Sequence, residues 1–173
     1  MLDYRISGLD TLARTLTDHR ATHLVSLVDP GAATPARPDG IDQRLVLQMH
    51  DLDRIDDGGL PGNPAAAHLM VLLDFARDHL ADGATRVVFQ CTAGRRRSTA
   101  AALICDLVLQ RDAGLDLSAG AIQAGLDRLK KIRPIADPNR ALVALADQYL
   151  DLKGILTQAV DAAPRYLDLT ADL

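Results

Sequence analysis

The stretch VVFQCTAGRRRSTAAALI, residues 87–104, runs from an apolar strand pattern through one cysteine and three consecutive arginines into an apolar helix pattern. TRVVFQ (85–90) reads as a buried strand, and STAAALICDLVLQRDAG (98–114) as a helix closing at Gly114. A loop that leaves the carboxyl end of a strand and opens a helix turns several backbone N–H groups into one concavity. The helix dipole adds about half a positive charge there. Such a cradle fits a tetrahedral oxyanion. Arg97, six positions after Cys91, can curl back and hold two phosphoryl oxygens with its planar fork. Gly94 at the apex permits backbone angles that a Cβ would forbid. Thr92, Ala93, Gly94, Arg95, Arg96, Arg97 and Ser98 are therefore the candidate phosphate-binding residues. The same positive field favours a nucleophilic thiolate at Cys91, and Ser98 can donate a hydrogen bond that eases the sulfur's departure.

Around this loop, HLVSLVD (23–29) and QRLVLQMH (43–50) read as strands. Residues 9–20 read as a short helix. A second runs over about 64–82, capped by Asn63 with Pro64 at its first position. Two more follow at 118–132 and 138–154, with Ser118 and Asp137 as N-caps. RYLDLTADL (165–173) reads as a short strand or a packed tail. Strands alternating with helices predict an α/β sheet followed by a helical C-terminal half, in a single domain over residues 1–173. A net charge of −4 and 3% aromatic residues argue against nucleic acid as a partner. No run approaches the roughly 20 apolar residues of a membrane span. The N-terminus lacks the apolar core of a secretory signal, and Cys91 and Cys105 alone make no disulfide scaffold, so a reducing cytoplasm is expected.

Cys91-Thr-Ala-Gly-Arg-Arg-Arg97-Ser98, between apolar strand and apolar helix, resembles the phosphate loop of the cysteine-dependent protein tyrosine and dual-specificity phosphatases. QMHDLD, LLDFAR, RSTAAA and DPNRALVALAD extend the likeness, over roughly residues 23–160, to a bacterial group of predicted tyrosine phosphatases. The resemblance implies a compact fold with a central, mainly parallel sheet flanked by helices. It also implies hydrolysis of phosphomonoesters through a phosphocysteine, without metal or other cofactor. The family's loop usually begins His-Cys, where this chain has Gln90.

The implied mechanism needs a carboxyl group that first protonates the leaving oxygen and then activates water. The loop before the second helix offers Asp51, Asp53, Asp56 and Asp57. The strand-end position of Asp51 matches the His-Asp of the bacterial group and makes it the favoured acid. Asp57-Gly-Gly-Leu-Pro61, similar to a loop of other dual-specificity phosphatases, is the alternative. Counted as a calcium loop from Asp51, the segment puts Ile55 at position five, Asp56 at six and Gly62 at twelve, so that pattern fails. The five histidines show no metal-ligand spacing. Cys105 is expected to face the core, since a disulfide to Cys91 is awkward along a helix.

The expected partner is a phosphorylated protein or a small phosphorylated molecule, with phosphotyrosine first by family. Arg95 and Arg96 raise the alternative of an inositol phosphate or phosphoinositide headgroup. Otherwise their side chains point outward and pair with the nearby aspartates. Two further readings are a phosphate-binding module without turnover and a sulfur transferase, the latter disfavoured by Arg97 in the sixth place.

Overall fold

The computed structural model describes residues 1–34, 36–53, 55 and 62–164. Four parallel strands form its sheet: β1 (Asp3–Ser7), β2 (His23–Val28), β3 (Gln43–Gln48) and β4 (Arg86–Gln90), in the order β1-β4-β2-β3. β4 is thus central, with Gln90 beside Ser7 on one flank and Ser26 on the other. The helices are α1 (Leu12–His19), α2 (Ala66–Phe75), α3 (Arg97–Asp112), α4 (Ala119–Ile132), α5 (Arg140–Tyr149) and α6 (Ile155–Ala162). A π-helical turn, Ala76–Leu80, continues α2.

Alternation along the strands divides the core. Val25, Leu27, Val87 and Phe89 face the large cluster that also holds Leu103, Ile104 and Leu107 of α3. Leu24 and Val88 point the other way, against Leu12 and Leu16 of α1. The sheet is therefore buried on both faces, as parallel sheets require. α3 is buried from Arg97 to Val108, which explains its nearly uniform apolar composition.

Four sequence expectations change. β1 lies where the sequence reading assigned no element, yet Tyr4 and Ile6 are buried between exposed Asp3 and Arg5. Its position is fixed through α3: Asp106 accepts from the Leu2 amide (3.1 Å) and from Arg128 (2.9 Å), whose guanidinium lies 4.7 Å from the Tyr4 ring centroid. The second helix begins at Ala66 rather than Pro64, and His68 Nδ1, not Asn63, accepts from the Ala65 amide (3.2 Å). The run 138–154 ends as a helix at Tyr149, and α6 follows as a separate one. Asp147 accounts for the break, accepting from the amides of Gly154 (2.7 Å) and Thr157 (2.9 Å) at the start of α6. Finally, Asn139, not Asp137, caps α5, accepting from Leu142 N at 3.0 Å. Ser118 caps α4 as expected, and RYLDLTADL lies outside the described residues.

Burial lowers the pKa of His19 and of His23 from the ordinary histidine value, so both favour the neutral form in the folded chain. Their contribution is complete above the unfolded value of about 6.5 and is lost as pH falls below it. The urea midpoint is expected to drop between roughly pH 6.5 and 5, and a His19→Gln, His23→Gln double variant to flatten that drop.

Candidate active site

Parallel strands deliver their carboxyl ends to one edge, and each end supplies a part of the site. β4 ends in Gln90 and passes straight into Cys91, whose amide donates to Ser7 O at the end of β1 (3.3 Å). β2 leads into Asp29, and β3 into Met49, His50 and Asp51. Cys91 is 2% exposed, and its Sγ lies 3.1 Å from Ser98 Oγ in the first turn of α3.

Five successive loop carbonyls, of residues 92–96, are bonded from outside. Thr92 O accepts from Leu9 N (3.1 Å), Arg95 O from Asp137 N (3.0 Å) and Arg96 O from Asn139 N (3.2 Å). Between them, Arg133 donates to Ala93 O through Nη2 (3.0 Å) and to Gly94 O through Nε (2.9 Å). In a trans peptide the N–H points opposite to the C=O. Turning five successive carbonyls outward therefore turns the five following amides, of residues 93–97, into the concavity. This is the amide orientation that an anion nest requires, with α3's amino end at its floor.

Gly94 makes the turn at φ +62°, and a Cβ there would lie 2.5 Å from Gly8 N and from Ser7 C. The loop is pressed directly against the end of β1.

Arg97 is 2% exposed, and its guanidinium is held at one end. Nη1 donates to Asp29 Oδ1 (2.9 Å) and Met49 O (2.7 Å), while Nη2 donates to Thr92 Oγ1 (3.1 Å) and lies 3.5 Å from Asp29 Oδ2. Nε is buried without a hydrogen-bond partner among the described residues; Asp51 Oδ2 stands 3.9 Å from it. The edge carrying Nε is thus left for an incoming oxygen.

Arg96 turns away from the cradle, as the outward-pairing alternative has it. Its Nε donates to Asp51 Oδ1 (3.2 Å) and its Nη2 to Asp53 Oδ1. Asn139 Nδ2 donates to the same Asp51 oxygen and to Leu52 O, each at 2.8 Å. Burial pushes the Asp53 carboxyl up, but bonds from Arg96 and the Arg140 amide outweigh it and hold the group below the usual carboxylate value. Asp56 and Asp57 lie outside the described residues. Arg95 is half-buried beside Arg96.

The fold that holds these residues recurs in solved structures. Human DUSP28 aligns over 88% of this chain and 97% of its own at 20% identity, with a TM-score of 0.59. The Yvh1 phosphatase domain from Chaetomium thermophilum aligns over 88% and 93% at 20% identity, with a TM-score of 0.60. The chain has the dual-specificity phosphatase fold. PTPMT1 in complex with PI(5)P shares it at 16% identity and a TM-score of 0.53, over 91% of this chain and 94% of that one. No protein-family model and no curated protein matches the sequence.

Within this fold Cys91, Thr92, Arg97, Ser98 and Asp51 lie together at one edge of the sheet, whereas Asp29, Arg133 and Asn139 went unread. An acidic residue directly after a buried strand, and Asn139 after Asp137-Pro138 at a helix start, were the available signals. Cys105 is fully buried and its thiol is pushed up by burial; it and Cys91 are both free. Among the described residues no group of three or more metal-ligating side chains gathers, and no helix is long and apolar enough to cross a membrane.

Proposed function

We propose that the chain hydrolyses phosphomonoesters through a phosphocysteine, with phosphotyrosine or a related phosphorylated group as substrate. The observation that carries this reading is the buried Cys91 sulfur beneath five inward amides, with Ser98 Oγ 3.1 Å away. The thiolate attacks phosphorus in line, the P–O bond to the leaving group breaks, and an aspartate gives that oxygen its proton. The amides and the free edge of Arg97 hold the equatorial oxygens, where charge gathers in the transition state. Water then attacks the phosphocysteine and the same aspartate takes its proton. The S–P bond breaks toward a thiolate that Ser98 Oγ–H stabilises.

Asp51 is the aspartate we assign. Arg96 and Asn139 hold its Oδ1, leaving Oδ2 turned toward Arg97 Nε at 3.9 Å, beside the place of the phosphoryl group. Wild-type protein is expected to release p-nitrophenol from p-nitrophenyl phosphate and to be inhibited competitively by vanadate. No inhibition at millimolar vanadate would sink the cradle. Asp51→Asn is expected to lower kcat by roughly 10²–10⁴-fold, the usual weight of a general acid. If Asp57→Asn produces that loss and Asp51→Asn does not, the assignment moves to Asp57.

A further inference from the structure

Three consecutive arginines at a pocket mouth suggest a site for several phosphates at once, but carboxylates stand against two of them, Arg96 and Arg97. Asp29, Asp51 and Asp53 stand against Arg97 and Arg96 in a connected chain of contacts: Asp29 to Arg97, Asp51 to both arginines, Asp53 to Arg96. None of the three carboxylates is buried away; their side chains are 50%, 29% and 40% exposed, against 3% for Arg97 and 20% for Arg96. The negative groups therefore lie on the solvent side of the cations. A phosphoryl group that enters the cradle meets the amides and Arg97. A second phosphate on the same molecule has to lie outside, where it meets half-exposed carboxylates.

Arg96 is not free to swing toward such a group. Asp51 and Asp53 accept from two of its guanidinium nitrogens, Nε and Nη2, and its own carbonyl is fixed by Asn139 N. Asp53 is held in turn by the Arg140 amide at 3.3 Å. Reaching outward would break this set of bonds, leaving Asp53 without its cation and Asp51 with Arg97 alone.

Resting on the phosphatase reading, we infer that Asp53, with Asp29 and Asp51, is a specificity-determining residue that makes the site select an isolated phosphomonoester and reject polyphosphates. Discrimination comes from an element repulsive to the wrong ligand, while the cradle itself serves any monoester dianion. An aryl phosphate and a lipid headgroup with one phosphate satisfy this chemistry alike; an inositol ring with clustered phosphates does not.

The test is competition for bound vanadate by inorganic phosphate and by inositol hexakisphosphate, measured on the wild-type chain and on Asp53→Asn. For the wild type we expect the hexakisphosphate to compete no more than about tenfold better than phosphate, although it carries many more charges. Asp53→Asn removes one rim charge and one of the two carboxylates paired with Arg96, and is expected to improve the hexakisphosphate at least tenfold relative to phosphate. Hexakisphosphate competing a hundredfold better in the wild type overturns the inference, as does a folded Asp53→Asn with an unchanged ratio. The wild-type arm stands even if the variant does not fold. Failure of vanadate itself to bind overturns the phosphatase reading instead, so the two failures are told apart. Phosphoinositide-sized substrates then separate by count: a headgroup with one phosphate is turned over, and one with vicinal phosphates is not.

Discussion

Cys91→Ser is expected to abolish phosphate release from p-nitrophenyl phosphate, by a factor on the order of 10³ to 10⁶, and to leave vanadate and phosphate binding in place. The loss follows from the nucleophile: a serine hydroxyl keeps its proton at neutral pH and, without an activating base, attacks phosphorus far more slowly than a thiolate. Retained binding follows from the cradle, which the sulfur does not build. The amides of residues 93–97 are oriented by donors to the opposite side of the loop: Leu9, Arg133, Asp137 and Asn139. The exchange replaces one buried atom by a smaller one at a position 2% exposed, so the fold tolerates it. Turnover and binding measured side by side on wild type and variant decide between an enzyme and a binding module. A wild type that binds vanadate but releases no phosphate would make the chain a binding module, with Gln90 as the first residue to suspect. Gln90 is fully buried, and neither polar atom of its carboxamide has a hydrogen-bond partner among the described residues.

Gly94→Ala is expected to remove binding and turnover together. At φ +62° an L-residue carries a strain of roughly 1–2 kcal/mol. The larger effect is steric. The added Cβ would sit 2.5 Å from Gly8 N and Ser7 C and 2.8 Å from Ser7 O, all backbone atoms of β1 and its exit. Neither side yields easily, because Leu9 N is bonded to Thr92 O and Cys91 N to Ser7 O. The loop must lift from β1, which swings the Gly94 carbonyl away from Arg133 and the following amide out of the cradle. Overpacking of this kind costs about 1–3 kcal/mol in addition. Vanadate affinity and the urea midpoint are expected to fall together, whereas Cys91→Ser moves neither. A Gly94→Ala chain with wild-type vanadate affinity would refute the close packing of loop on strand.

The loop itself was legible because its parts are close in sequence. Strand, cysteine, glycine, arginine and helix follow one another in one unbroken stretch, from Arg86 to Asp112, and each obeys a local rule. The supports were not legible, since they act over long separations. Asp29 meets Arg97 from 68 positions away, Arg133 meets Gly94 from 39, and Asn139 meets Asp51 from 88. No periodicity carries such pairings. β1 was missed for another reason: its alternation of Tyr4 and Ile6 with Asp3 and Arg5 spans only five residues, too few to outweigh its polar content. The side chain of Arg96 could be read either way until the strand order placed Asp51 and Asp53 within its reach.

Because every strand end contributes to the cradle, its assembly reports on the last stage of folding. β4 lies between strands that precede it by more than 50 residues, so the sheet closes only when the third crossover inserts it. Helices and a β2–β3 pair can form earlier without creating an anion site. On refolding from urea, recovery of vanadate affinity is therefore expected to lag recovery of helical circular dichroism and to coincide with burial of Phe89. In a protein built this way the strand ends are gathered together late, and the Cys91 thiol is hidden from solvent in the same step that completes its proposed cradle.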